Sequence, residues 1–220
     1  MSWIKIDGTV MGKEGFIHPI QIEILTHKKA ELEKWAEECY DELVEKWQWV
    51  APEKLTSIVM PYLEINEAIL DAGCGTGLCG EILTSQGYTV DGIDFSTKLL
   101  EYAKNRGYRE LRSANLAQQT ISEFIGKKYK SIITAGVYGE YLTVNPWLIR
   151  LCDVLEDDGV IAIAGHEEKL VNSFIFEHLR DNGMHVKKVD TGVGYYMEGN
   201  EPVDYLYIIA EKITKEKRKN

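Results

Sequence analysis

Asp71 and Asp94, with the glycines between them, are the residues of this 220-residue sequence whose types and spacing point most directly to chemistry. The stretch Glu67-Ala-Ile-Leu-Asp-Ala-Gly-Cys-Gly-Thr-Gly-Leu-Cys-Gly80 reads as a strand, a turn and a helix. Ile69 and Leu70 form the apolar end of the strand. Gly73, Gly75 and Gly77 let the backbone bend sharply and approach a ligand closely, and Leu78, Ile82 and Leu83 give the helix a buried face. Such a turn is a cradle for a nucleotide or a cofactor.

Gly75-x-Gly77-x-x-Gly80 satisfies the glycine fingerprint of dinucleotide-binding folds, so an NAD-dependent oxidoreductase is one reading. Asp71, two residues before the first glycine, favours another. A pyrophosphate sits at a helix N-terminus because N–H groups and the helix dipole attract negative charge. A carboxylate about 5 Å away opposes it by several kcal/mol at intermediate dielectric. S-adenosylmethionine carries a sulfonium and an ammonium and no phosphate, so the same carboxylate helps to hold it. Methyl transfer from that donor is an in-line displacement, and the protein mainly has to hold the nucleophile near the methyl group. A base matters when the nucleophile is a neutral hydroxyl, and histidine is the side chain best tuned for that near neutral pH. His166 is the candidate base, ahead of His18, His27, His178 and His185, because it follows the fifth core strand, where ligands gather in open α/β sheets.

The elements that must position these residues follow an alternating pattern. Residues 1–25 suit a hairpin or extended arm, with a turn at Gly12-Lys-Glu-Gly15. Leu32, Trp35, Ala36, Cys39, Tyr40, Leu43, Val44 and Trp47 follow the three-four spacing of an amphipathic helix from Thr26 to about Trp49. A second helix follows Pro52, its last turn weakened by Pro61. After the glycine turn come a helix to Gly87, a strand from Tyr88 ending on Asp94, and a helix capped by Ser96 and closed by Gly107. Strands around Tyr108–Arg112, Tyr129–Thr134 and Val160–Ala164 alternate with helices around Ala117–Ile125, from Asn145-Pro146, and from Lys169 to Asn182. This rhythm implies a parallel sheet with helices on both faces. His185–Thr191 and Val203–Glu211 have only the glycine-rich stretch Thr191–Gly199 between them, so they pair antiparallel. With the Trp35–Trp49 helix, that stretch could form a lid.

The expected organisation is an N-terminal arm and helical cap over residues 1–50, a single core over 51–212 and a basic tail over 213–220. A formal net charge of -10 argues against nucleic acid as substrate. The four cysteines, at 39, 74, 79 and 152, form no Cys-x-x-Cys pair and no Cys/His array, which speaks for reduced thiols in the cytoplasm and against a metal site. No apolar run reaches the ~20 residues that span a bilayer, so no membrane partner is expected.

Leu70-Asp-Ala-Gly-Cys-Gly-Thr-Gly77, with Gly92-Ile-Asp-Phe-Ser96 running into Leu99-Leu100-x-x-Ala103, resembles the class I S-adenosylmethionine-dependent methyltransferases. The Trp35-Ala36 and Tyr40-Asp41 elements resemble the methyltransferase-like subgroup of the Williams-Beuren region. The resemblance implies an α/β Rossmann-like three-layer sandwich, with a seven-stranded, mostly parallel sheet in the order 3-2-1-4-5-7-6 and an antiparallel last strand. It implies S-adenosylmethionine as cofactor, S-adenosylhomocysteine as product, and methyl transfer to oxygen, nitrogen or carbon of a small molecule by a monomer or homodimer. A non-methylating protein that binds the same cofactor shares the same motifs. Carried over residue by residue, Asp71, Ala72, Gly73 and Gly75 hold the methionine portion, and Asp94 accepts from both ribose hydroxyls. Phe95 lies against the adenine, and Asn115 stands where the family commonly has an aspartate for the adenine amino group, with Leu116 beside it. Gly136 passes close to the cofactor, and Tyr40 joins from the cap. Tyr138, with Glu140 and Tyr141, follows the fourth strand at the acceptor side, where it either orients a substrate or walls the pocket.

Overall fold

The computed structural model describes residues 4–6, 9–11, 46–116, 126–138, 146–196 and 201–214. A short hairpin pairs β1 (Ile4–Ile6) with β2 (Thr9–Met11). The expected turn at Gly12–Gly15 lies outside the described residues, together with most of the Thr26–Trp49 helix, the Ala117–Ile125 helix and the tail from 215.

The inner strands of the core form because their apolar residues are continuous enough to be covered on both faces, while the two edge strands are mostly half-buried or exposed. The strands are β3 (Ala68–Ala72), β4 (Thr89–Asp94), β5 (Glu110–Ser113), β6 (Tyr129–Tyr138), β7 (Leu155–His166), β8 (Met184–Tyr196) and β9 (Pro202–Lys212). They make one seven-stranded sheet in the spatial order β5-β4-β3-β6-β7-β9-β8, the expected 3-2-1-4-5-7-6. Neighbours from β5 to β7 are parallel, and β9 runs antiparallel to both β7 and β8. Successive residues bury on opposite faces. Ile69 packs with Ala51, Leu55 and Val59 of α1 (Ala51–Val59) and with Leu83 of α2 (Leu78–Ser85). Leu70 packs on the other side with Leu148 and Leu151 of α4 (Pro146–Val154), behind α3 (Thr97–Ala103) in chain order. Three layers follow from that alternation.

Two segments differ from the sequence reading. The expected helix from Lys169 to Asn182 is two helices, α5 (Glu167–Asn172) and α6 (Ile175–Asp181). The Ser173 hydroxyl donates to the Leu170 carbonyl at 2.8 Å, and Phe174 takes a left-handed φ of 57°. In one unbroken helix Leu170 and Ile175 would point about 140° apart, whereas the break lets both bury fully with Leu179. The Thr191–Gly199 stretch, read as a loop, is strand as far as Tyr196. An added Cβ on Gly194 would stand 2.2 Å from the Tyr205 ring, so that glycine permits close strand packing and not a turn. Gly194 and Tyr196 are tied to the segment before α1, by Val50 N to Gly194 O at 2.8 Å and Tyr196 N to Trp47 O at 2.7 Å.

Candidate active site

Parallel strands finish at the same edge of the sheet, which gathers the residues singled out above. Asp71 pairs in register with Gly92 and Ile133, and Asp94 with Ser113. Tyr138, the last residue of β6, pairs with Gly165, one residue before His166. The strand ends thus bring Asp71, Asp94, Gly136, Tyr138 and His166 to one rim of the fold.

The turn after β3 is fixed from two sides. Gly73 N and Cys74 N donate to Ile93 O at 2.7 and 3.0 Å, which binds the turn to β4. Gly73 has φ 77°, and a Cβ there would lie 2.2 Å from Val137 Cγ2, so the end of β6 rests directly on the turn. Gly75 is the opposite case. It has no atom within 4 Å of an added Cβ, and its bare backbone faces open space, as a cradle for a ligand requires.

Asp94 joins the turn to α3. Its Oδ2 accepts from Gly75 N at 2.9 Å and its Oδ1 from Ser96 N at 2.8 Å. Burial pushes the carboxyl up to about 6, and those N–H groups act against the rise by favouring the charged form. A carboxylate has about four acceptor positions, so Asp94 can accept a further hydrogen bond beside those of the backbone N–H groups around it. Ser96 Oγ accepts from Leu99 N at 3.3 Å and caps α3 as expected. Phe95 and Asn115 flank this point, both half-buried, and Ala114 N donates to Asp94 O at 2.9 Å. The Leu116 and Ala72 side chains belong to the apolar core, and the Leu116 carbonyl accepts from Arg150 Nη1 at 2.8 Å.

Asp71 is engaged by a residue that the sequence reading passed over. Tyr108 Oη donates to Asp71 Oδ2 at 2.6 Å and accepts from Gly80 N at 3.2 Å. The Tyr108 ring lies where side chains on Gly77, Gly80 and Gly92 would otherwise stand. An added Cβ would meet it at 2.7, 2.0 and 2.9 Å respectively. The third glycine of the dinucleotide-like fingerprint is thus explained by tyrosine packing, without a pyrophosphate. Burial raises the Asp71 carboxyl to about 7; the Tyr108 hydroxyl opposes the rise and the Asp94 charge adds to it. The one available sequence signal for Tyr108 was its place beside the Gly107 turn, which says nothing about what its hydroxyl reaches.

His166 ends β7 in an aromatic group. Its Nε2 lies 3.3 Å from Tyr195 Oη, and its ring is 5.6 Å from the Tyr195 ring, edge to face, and 5.1 Å from that of Tyr205. Trp47 stands 6.3 Å from Tyr195, and Trp49 covers Gly136, whose φ is 71°. The glycine-rich strand end meets Trp47 of the segment before α1, while most of the Trp35–Trp49 helix expected to join it in a lid lies outside the described residues. Tyr40, Glu140 and Tyr141 lie outside the described residues. Cys74 and Cys79 are buried free thiols held well above their usual range by burial, and Cys152 is also buried and free. Among the described residues no group of three His, Cys, Asp or Glu side chains could hold a metal ion, and no helix is long and apolar enough to cross a membrane.

The sequence model of a methyltransferase domain family matches residues 69–159, from the first core strand to Gly159 in β7. A ubiquinone biosynthesis O-methyltransferase from Actinobacillus pleuropneumoniae serotype 5b is 32% identical over 104 residues, which cover 44% of this chain and 44% of that protein. Its counterpart from Rickettsia canadensis is 28% identical over 183 residues, 68% of this chain and 74% of that one. The chain thus spans under half of the first relative and about three quarters of the second. The crystal structure of a TehB-like S-adenosylmethionine-dependent methyltransferase from Corynebacterium glutamicum superposes with a TM-score of 0.63 at 23% identity, covering 83% of this chain and 98% of that chain. At that identity the likeness is one of fold.

Proposed function

We propose that this chain, which belongs to the class I S-adenosylmethionine-dependent methyltransferases, moves a methyl group from S-adenosylmethionine to a hydroxyl oxygen of a small molecule. The observation that carries the reading is the junction of β6 and β7. Val137 rests on the cofactor turn, and the next residue, Tyr138, pairs with Gly165 beside His166, so a base candidate stands on the strand next to the one that touches the donor site. The relatives named as O-methyltransferases support oxygen as the nucleophile.

The residues present fit the cofactor. Gly75 offers open backbone, Asp94 offers two acceptor oxygens, and among the described residues no ion pair joins Asp71 or Asp94 to a basic side chain that would instead favour a phosphate. Bound there, S-adenosylmethionine supplies a methyl group activated by its sulfonium. Asp94 accepts from the ribose hydroxyls, and Asp71 faces the cationic methionine portion from beneath Ala72, Gly73 and Gly75. Phe95 lies along the adenine, Asn115 accepts from its amino group, and Leu116, Gly136 and Tyr40 complete the enclosure. His166 receives the acceptor's hydroxyl proton on its imidazole, and Tyr138 orients the acceptor. Residues 51–212 make the core that does this, with residues 1–50 as its cap. The formal charge of -10 supports a small-molecule acceptor over nucleic acid.

The test is a methyl-transfer screen with purified protein, S-adenosylmethionine and a panel of phenols, alcohols, carboxylic acids and amines, read by mass spectrometry. The expected result is methylation at a hydroxyl with matching release of S-adenosylhomocysteine. His166→Ala should lose that transfer while binding S-adenosylhomocysteine as the parent does. Methylation confined to nitrogen or carbon, or full hydroxyl transfer by the variant, would refute the assignment.

A further inference from the structure

We infer that Tyr108 is a positioning residue of the cofactor site, holding the Asp71 carboxylate in place and in its charged form against the N-terminus of α2. This rests on the reading of the turn as an S-adenosylmethionine site. Tyr108 Oη spans the two walls of the turn, donating to Asp71 on β3 at 2.6 Å and accepting from Gly80 N in α2 at 3.2 Å. Its ring is locked by the absence of side chains at Gly77, Gly80 and Gly92. Filling that space with an alternative side chain on any of the three glycines would expel the ring, so the sequence gives up three side chains to admit one tyrosine.

The hydroxyl matters because little else near Asp71 favours its charge. The titratable groups that face it are Tyr108, Asp94, Cys74 and Cys79; Asp94 is itself an acid, and the two thiols are buried and neutral. Asp71 is 2% exposed, so water offers it almost nothing. The hydrogen bond from Tyr108 and the Gly80 N–H are what favour the carboxylate, and burial pushes the carboxyl up to about 7 in spite of them. A hydrogen bond to a charged group is worth enough to move that balance by about one pH unit. Tyr108 thus sets the pH at which the turn presents a negative charge to a cationic ligand.

Tyr108→Phe keeps the ring and removes only the donor. With the midpoint moved up by about one pH unit, affinity for S-adenosylmethionine should fall about tenfold at pH 6 and about fivefold at pH 7, and return nearly to that of the parent at pH 9. The ligand's own ammonium titrates identically with both proteins and cancels in the ratio. Calorimetric titration of parent and variant at the three pH values reads this directly. In an Asp71→Asn background, Tyr108→Phe should have no further pH-dependent effect. An affinity ratio that is constant with pH would reduce Tyr108 to a packing residue, and a ratio of one at every pH would remove any role. If the parent itself binds no S-adenosylmethionine, the reading of the site fails and not the coupling of Tyr108 to Asp71, which the pH dependence of unfolding of the two proteins then reports: Tyr108→Phe should steepen the loss of stability above pH 7, and an unchanged profile would overturn it.

Discussion

Asp71→Asn should stabilise the fold at pH 8 relative to pH 4. The carboxyl is raised from its ordinary 3.8 to about 7 by burial, so the folded protein holds this proton more tightly than the unfolded chain does. A carboxyl raised in this way costs nothing below pH ~4, where both states are protonated, and its full penalty above pH ~7, where both are charged, so stability falls as pH rises between those values. At about 1.36 kcal/mol per pH unit the full penalty is about 4 kcal/mol. Structural relaxation and water entry on ionisation reduce it, to about 2 kcal/mol. Asn has the same shape and its Oδ1 still accepts from Tyr108, while carrying no charge to bury. The expected gain of the variant over the parent is therefore larger at pH 8 than at pH 4 by about 2 kcal/mol, or roughly 4–8 °C in Tm for a domain of this size. Urea unfolding followed by circular dichroism at pH 4, 6 and 8, without cofactor, measures it. Comparing pH values cancels any fixed cost of the amide. An equal difference between the two proteins at pH 4 and pH 8 would mean that Asp71 is not a buried charge in the folded state.

Two further substitutions probe the same turn. Asp94→Ala should weaken S-adenosylhomocysteine binding at least tenfold by calorimetry, because it removes the acceptor pair proposed for the ribose and leaves Gly75 N and Ser96 N without their partner; unchanged affinity would remove Asp94 from the site. Gly80→Ala places a methyl 2.0 Å from Tyr108 Cζ and should cost about 1–3 kcal/mol in urea unfolding. In a Tyr108→Leu background the same change should cost less than half as much, and additive costs would show that the ring is not what Gly80 makes room for.

The sheet was legible because its signals are local. Ile69-Leu70 before a glycine turn and Ser96 before Leu99-Leu100 each fix an element within a few residues. The helix after β7 was misjudged at Ser173-Phe174, where a left-handed residue re-phases two apolar faces, and an exposed Phe carries no sequence sign of that conformation. The Thr191–Tyr196 strand was misjudged because Gly192 and Gly194 look like turn residues from their neighbours alone. Gly194 makes room for the ring of Tyr205 on the neighbouring strand, and Gly192, at a φ of 154°, for the Lys54 side chain.

The amino-acid sequence by itself settled the alternation of strand and helix, the glycine turn, and the two carboxylates at the ends of β3 and β4, because each depends on spacing within one element or one turn. The partners of those groups were decided only in three dimensions. Tyr108 reaches Asp71 across 37 positions and Tyr195 reaches His166 across 29. Such meetings depend on which strands are neighbours and in what register, and a pattern that repeats every two or every 3.6 residues holds no record of either.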